Sequence, residues 1–214
     1  PIVDYKVFYK RELLVRMPEI ISELEDYLGY PCFVKPANLG SSVGISKARN
    51  REELKSALMI AAQYDIKVLV EKFIDAREIE CSVLGNDEPK ASLPGEIIPS
   101  RDFYDYTAKY SDGDKSKLLL PAPVSRKDVS RIQELAVKAF TALDCSGMAR
   151  VDFLMSKVSG NIYINELNTI PGFTKISMYP KMWEVSGLSY KDLIDELIEF
   201  AFERHRQKNE LKLA

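Results

Sequence analysis

At 214 residues, with 46% hydrophobic and 29% charged side chains, the chain has the make-up of an ordinary globular protein, one large domain or two small lobes, and not that of a disordered segment or a coiled coil. A formal net charge of −2 with both signs interspersed gives no global electrostatic case for nucleic acid or an anionic membrane, so any phosphate must be held locally. No apolar run approaches membrane-spanning length and no signal-peptide pattern opens the chain. Cys32, Cys81 and Cys145 sit in apolar sequence without CxxC spacing and read as reduced core thiols of a cytosolic protein. The single histidine, His205, lies in the charged stretch ERHRQKNE, where a solvated role leaves no histidine for a Ser-His-Asp or Cys-His mechanism. The first residue is Pro1, and PIVDYKVF begins like the middle of a domain, which predicts a fragment or a processed product.

In chain order, Pro1 to Phe8 reads as a strand or extended lead-in, and Arg11 to Tyr27 has helical spacing, with a break or helix start predicted near Pro18. Gly29 ends that helix, and Tyr30 to Pro36 is a short buried strand carrying Lys35 at its end. Ala37 to Ser46 follows, rich in glycine and serine. Such a loop lets backbone amides and hydroxyls crowd an anion, with a lysine nearby as point charge, yet it serves equally as a plain hairpin turn. It is not a Walker A motif, because the lysine precedes the loop. Asn50 with Glu53 forms a capping-box start to a packing helix that runs to Tyr64.

Lys67 to Lys72 is a compact strand, and Arg77 to Leu84 a second one that puts Glu78 and Glu80 on one face and Ile79, Cys81 and Val83 on the other. This is an amphipathic antiparallel pair, or else a hinge at Glu71 to Ile74 that meets a purine edge while Glu78 accepts from ribose hydroxyls. Lys90 to Ile98 is a further strand candidate. Pro99 to Pro123 runs long without periodicity, as lids do, and its aromatic cluster around Tyr104, Tyr106, Lys109 and Tyr110 suits a closing flap over a small ligand. Ser125 to Leu143 is an amphipathic helix capped by Ser125 with Asp128 at its third position. Ser189 to Arg206 closes the chain with a helix whose Leu193, Ile194, Leu197, Ile198 and Phe200 to Phe202 are expected to cover a sheet.

The stretch Met148 to Met178 carries the chemistry. Met148 to Leu154 and Ile162 to Asn168 alternate like strands across the short polar turn Ser156 to Asn161, which predicts a hairpin. Arg150 and Asp152 then share a face, as do Glu166 and Asn168, so two carboxylates, an amide and a guanidinium converge if the strands pair. Mg²⁺ takes hard oxygen ligands of this kind and completes its shell with water and phosphate. The plainer alternative is the solvated face of a hairpin. Beyond Asn168 the chain leaves through Pro171 and Gly172, where backbone N–H groups can approach a ligand, and is expected to enter a helix near Thr174.

Taken together, VKPANLGSSVGISK, LVEKF followed by REIE, FYDYTAKY, ARVDF and NELNTIPGFT make the chain, from Pro1 to about Arg204, resemble the ATP-grasp portion of the D-alanine-D-alanine ligase family. The resemblance implies an α+β ATP-grasp fold of two α/β lobes with largely antiparallel sheets gripping a nucleotide between them. The smaller lobe is expected over residues 1–71 and the larger over 72–214, with a flap at 99–123. It implies that Lys35 contacts an ATP phosphate, that Ser41 and Ser42 cover the phosphates or ligand, that Glu71, Lys72 and Ile74 hold adenine, and that Glu78 holds the ribose. It further implies that Asp152, Glu166 and Asn168 bind two Mg²⁺, with Mn²⁺ as a substitute, and that Arg150 and the Gly172 amide form an oxyanion hole. Lys109 would reach the γ-phosphate, Tyr110 would close over the amino acids, and Ser177 and Met178 match positions that meet the second D-alanine.

The implied activity joins two D-alanine molecules through an acyl phosphate, for peptidoglycan synthesis in the cytoplasm, with the full-length protein a homodimer. The family's N-terminal domain supplies a glutamate and a lysine that this chain lacks. The fragment alone is therefore expected to bind Mg-ATP and to make little dipeptide. A ligase for another carboxylate and amine is the alternative.

Overall fold

The computed structural model describes residues 1–40, 42–99, 117–174 and 176–212. These fall into two compact units, one of Ile2–Asp75 and one of Pro1, Ala76–Ile98 and the chain from Lys117 onward. Each has its own sheet and its own core.

In the first unit, β1 (Tyr5–Tyr9), β2 (Cys32–Pro36), β3 (Ser46–Ala48) and β4 (Lys67–Lys72) form a four-stranded antiparallel sheet in the order β1-β4-β2-β3. Alternation sends Cys32 and Val34 of β2, with Val68 and Val70 of β4, to one face. There they meet α1 (Lys10–Tyr27) and α2 (Arg51–Tyr64) through Leu13, Ile20, Leu24, Leu54 and Leu58. The expected break in α1 lies at Arg16, two residues before Pro18, where φ −124° and ψ 28° leave the helical region. Gly29, at φ +66°, ends it as predicted. The Asn50 side chain accepts from the Glu53 amide at 2.9 Å and caps α2.

In the second unit, β5 (Ala76–Gly85), β6 (Lys90–Ala91), β7 (Gly95–Ile98), β8 (Lys117–Leu119), β9 (Gly147–Ser156) and β10 (Ile162–Asn168) form a six-stranded sheet in the order β10-β9-β5-β7-β8, with β6 also on β5. All its pairings are antiparallel. Ile79, Cys81, Val83, Ala149, Val151 and Phe153 pack under α3 (Arg126–Ala142), whose Ile132, Ala136 and Phe140 are fully buried. On the opposite face, α4 (Met178–Val185) and α5 (Tyr190–Glu210) bring Tyr179, Trp183 and Leu193 onto Leu84.

Four expectations need correction. The strand over Lys90 to Ile98 is two strands, because Ser92, Leu93 and Pro94 lie outside both ladders. The stretch Pro99 to Pro123 contains β8, which extends the sheet, while residues 100–116 lie outside the described residues. The helix expected near Thr174 starts at Met178. On α5 only Leu193 is buried; Leu197 and Phe200 pack partly, but Ile194, Ile198 and Phe202 stay 37%, 48% and 56% exposed, so one turn of the apolar face covers the sheet and another does not.

Candidate active site

The carboxylate face of the second unit is set by register. In β10 the register passes from Ile164, opposite Phe153, directly to Glu166, opposite Asp152, so Asn165 is an extra residue in a bulge. Ile162, Ile164 and Leu167 therefore all turn to the core under α3. Regular alternation would have carried Glu166 and Asn168 in with Ile162 and Ile164, which for an unpaired carboxylate costs several kcal/mol. The bulge keeps Glu166 exposed and opposite Asp152, and places Asn168 opposite Arg150. The expected regular strand over Ile162 to Asn168 is thus wrong at Asn165, while the convergence of the four side chains holds. The outer edge of β10 is met at the same place by the Pro1 carbonyl, which accepts from the Ile164 amide at 2.9 Å.

A third carboxylate joins them. Glu80 of β5 lies opposite Asp152, so Glu80, Asp152 and Glu166 form a row across three strands, with Ser82, Arg150 and Asn168 in the next. Arg150 donates from Nε and Nη2 to the two Asp152 oxygens, each at 2.6 Å, and its Nε also lies 3.2 Å from Glu80 Oε1. Burial opposes the guanidinium's charge, but the Asp152 hydrogen bonds and the charges of Asp152, Glu80 and Glu166 outweigh it and hold Arg150 above its usual value. Glu80 is 6% exposed and was singled out in the sequence only as sharing a face with Glu78. That spacing of two was the signal for it. Glu78 itself is half-buried, two residues along the same face, opposite Leu154 and Ile97.

These residues suit a divalent cation by their chemistry: Asp152, Glu166 and Asn168 offer hard oxygens from directly paired strands. Among the described residues no three His, Cys, Asp or Glu side chains are gathered closely enough to hold a metal by themselves. A cation here would find two carboxylates and an amide of the chain, and would need phosphate and water to complete its shell.

In the first unit the open face of the sheet is basic and aromatic. Phe33 lies opposite Glu71 on one side and Lys47 on the other, and Lys35 projects from the same face. Lys35 Nζ and Glu71 Oε2 are 2.6 Å apart, with side chains only 16% and 14% exposed. Lys47, which sequence reading left without a role, holds its ammonium 3.7 Å from the Phe73 ring centroid. Lys72 is on the opposite face from Glu71, exposed, 4.0 Å from Asp4, and its amide donates to the Asp4 carbonyl. Ile74 lies in the connection after β4. Ser42 takes φ +58° in the glycine-rich loop, and Gly44, at φ +73°, could carry no side chain, since a Cβ would fall 2.7 Å from the Tyr64 ring and 2.9 Å from Pro36. Ser41, Lys109 and Tyr110 lie outside the described residues.

A profile of the family described as D-ala D-ala ligase C-terminus matches residues 1–199. The chain belongs to that family. The D-alanine--D-alanine ligase of a Thermoanaerobacter species is 60% identical over 208 residues, covering 97% of this chain and 57% of the relative. That of Ruminiclostridium cellulolyticum is 57% identical over 203 residues, covering 94% and 54%. Among solved structures, the D-alanine-D-alanine ligase from Coxiella burnetii superposes with a TM-score of 0.82 at 40% identity, over 98% of this chain and 54% of that one. The VanG D-Ala:D-Ser ligase from Enterococcus faecalis does so with a TM-score of 0.82 at 40% identity, over 93% and 56%. The chain spans about half the length of the relatives it matches. As a D-ala D-ala ligase C-terminus chain it has the α+β ATP-grasp architecture expected of its motifs.

Three further motif positions lie where the second unit leaves β10. Ser177 Oγ accepts from the Thr174 amide at 3.0 Å and lies 2.9 Å from Thr174 Oγ1, which fixes the turn before α4. Gly172 is pressed against it, since a Cβ there would sit 3.0 Å from Ser177 Oγ. Met178 is buried, its Cε 2.5 Å from where a Cβ on Gly95 would stand, so the start of α4 is keyed to β7 by a missing side chain. Among the described residues no helix is long and apolar enough to cross a membrane.

Proposed function

We propose that the chain is the Mg-ATP-binding portion of a cytoplasmic ligase that joins two D-alanine molecules for peptidoglycan synthesis. The observation that carries the reading is the bulged register that lines up Asp152 and Glu166, with Arg150 and Asn168 beside them, on one face of the sheet. Lys35, Ser41, Ser42 and Lys109 would meet ATP phosphates, Glu71, Lys72 and Ile74 the base, and Glu78 the ribose. Asp152, Glu166 and Asn168 would hold two divalent cations, which screen charge on the transferring phosphoryl group when bound.

A carboxylate oxygen of the first D-alanine forms a bond to the γ-phosphorus as the bond to ADP breaks. The amine of the second D-alanine then forms the C–N bond, the C–O bond to phosphate breaks, and the amine proton passes to solvent. Arg150 and the Gly172 amide would stabilise the tetrahedral oxyanion of that second step. Tyr110 would close over the amino acids, and Ser177 and Met178 would meet the acceptor. The whole protein is read as a homodimer, which sedimentation of the full-length ligase tests.

The experiment is a thermal-shift titration with Mg-ATP on this chain and on Glu166→Gln. Ligand at a hundred times its dissociation constant contributes about 2.7 kcal/mol, a shift of several degrees for a chain of this size. The shift is expected in the parent and reduced in the variant; equal shifts in both would remove Glu166 from the site. A second acceptor is favoured by one observation, the match to a D-Ala:D-Ser ligase. Steady-state comparison of D-alanine with D-serine in the full-length enzyme decides between them.

A further inference from the structure

We infer that Glu80 is a positioning residue that takes over Arg150 when Asp152 turns to a divalent cation; this rests on the metal reading above. Both Asp152 oxygens are held by the Arg150 fork at 2.6 Å. A cation bound at Asp152 therefore competes with a guanidinium for the same carboxylate. Arg150 is partly buried, its side chain 19% exposed, and releasing it without another partner leaves its charge uncompensated at a cost that burial raises.

The register provides the alternative partner. Glu80 faces Asp152 across β5 and β9, its side chain is 7% exposed, and its Oε1 is already 3.2 Å from the Nε that Asp152 also accepts from. One donor is thus shared between two carboxylates, and a small rotation of the guanidinium moves it from one to the other. Glu80 is not assigned to the cation itself, in keeping with the absence of a three-carboxylate cluster among the described residues. It holds Arg150 at the site while the cation takes Asp152.

The test is a double-mutant cycle on the 214-residue chain, read by calorimetric titration of Mn²⁺ at saturating ADP, with thermal melts as a check of folding. Glu80→Gln is expected to weaken Mn²⁺ binding about fivefold to tenfold, because Arg150 is left to Asp152 alone; in the Arg150→Met background the same change is expected to cost about twofold or less. Equal losses in both backgrounds would mean that Glu80 acts on the cation directly and would overturn the exchange. So would no loss with Arg150 present. If Glu80→Gln fails to melt cooperatively, the pair Arg150→Met and Arg150→Met/Glu80→Gln still decides, since a marked loss between those two overturns the proposal. A parent chain that binds no Mn²⁺, or Asp152→Asn binding as the parent does, overturns the metal assignment and the exchange with it.

Discussion

The two sheets of this chain present faces of opposite character built by different means. In the first unit Lys35, Lys47, Phe33 and Glu71 emerge from strands whose alternation is unbroken; Lys35 meets Glu71 on the diagonal across β2 and β4, and Lys47 meets the ring of Phe73 just past the end of β4. In the second unit Glu80, Asp152 and Glu166 stand in one row, the Arg150 guanidinium reaches two of them, and Glu166 faces outward there because Asn165 is taken up in a bulge. Where alternation is unbroken, each side chain sets the face of the next. Where the chain carries an extra residue, a bulge absorbs it at the cost of one unpaired residue and keeps the apolar side chains inward and the charged ones outward.

The sharpest way to break this contrast is a one-residue deletion in each sheet. Removing Leu69 from β4 forces either Glu71 or Lys67 to the buried side with Val68 or Val70, so the first unit is expected to lose its cooperative melt or to fall by more than about 10 °C. Removing Asn165 from β10 leaves Ile164 and Leu167 inward and Glu166 and Asn168 outward, so that variant is expected to fold with a midpoint within about 5 °C of the parent. Circular-dichroism melts compare them, and similar losses in both would refute the bulge assignment.

A smaller effect sharpens the account of the basic face. Glu71→Ala strips Lys35 of a partner 2.6 Å away in a largely enclosed spot, and is expected to cost about 2 to 3 kcal/mol in urea unfolding. Lys35→Met with Glu71→Leu should recover most of that, because replacing both members of an enclosed pair removes the unmet charge.

The smallest effect is electrostatic. The Asp65 carboxylate accepts from the Lys67 amide and from the Asn38 amide and side chain, and these bonds hold its pKa below the usual aspartate range. A depressed folded pKa gives stability that is present above the unfolded value near 4 and is lost as pH falls through the lower folded one. Asp65→Asn is therefore expected to melt about 2 °C below the parent at pH 7, with the gap closing below about pH 4. A gap that stays constant down to about pH 2.5 would show that the loss does not come from the charge of the carboxylate.

How far the sequence reached can be followed residue by residue. Asn50 and Ser125 as helix caps, Gly29 as a helix end, and Ile79, Cys81 and Val83 as one face of their strand are local facts of side-chain chemistry and period, and each stands where it was expected. The strand β8 was missed because Lys117–Leu119 is too short to show a period and is held by its pairing with β7. Helix α4 was placed early because Thr174 and Ser177 can both start a helix, and the turn that joins them decides which one does.

By itself the sequence determined the two faces of β5, the hairpin of β9 and β10, the helix caps, and the motifs that place the chain in its family, because period and local capping act over a few residues. Its one trace of the bulge was a spacing of three between Ile164 and Leu167 in a strand otherwise stepping by two. Only the tertiary structure decided that Glu80, Asp152 and Glu166 share one row and that Arg150 answers to two of them. Cross-strand register joins residues distant in the chain, and what fixes it is the burial of Ile162, Ile164 and Leu167 under α3, a cost summed over the whole core.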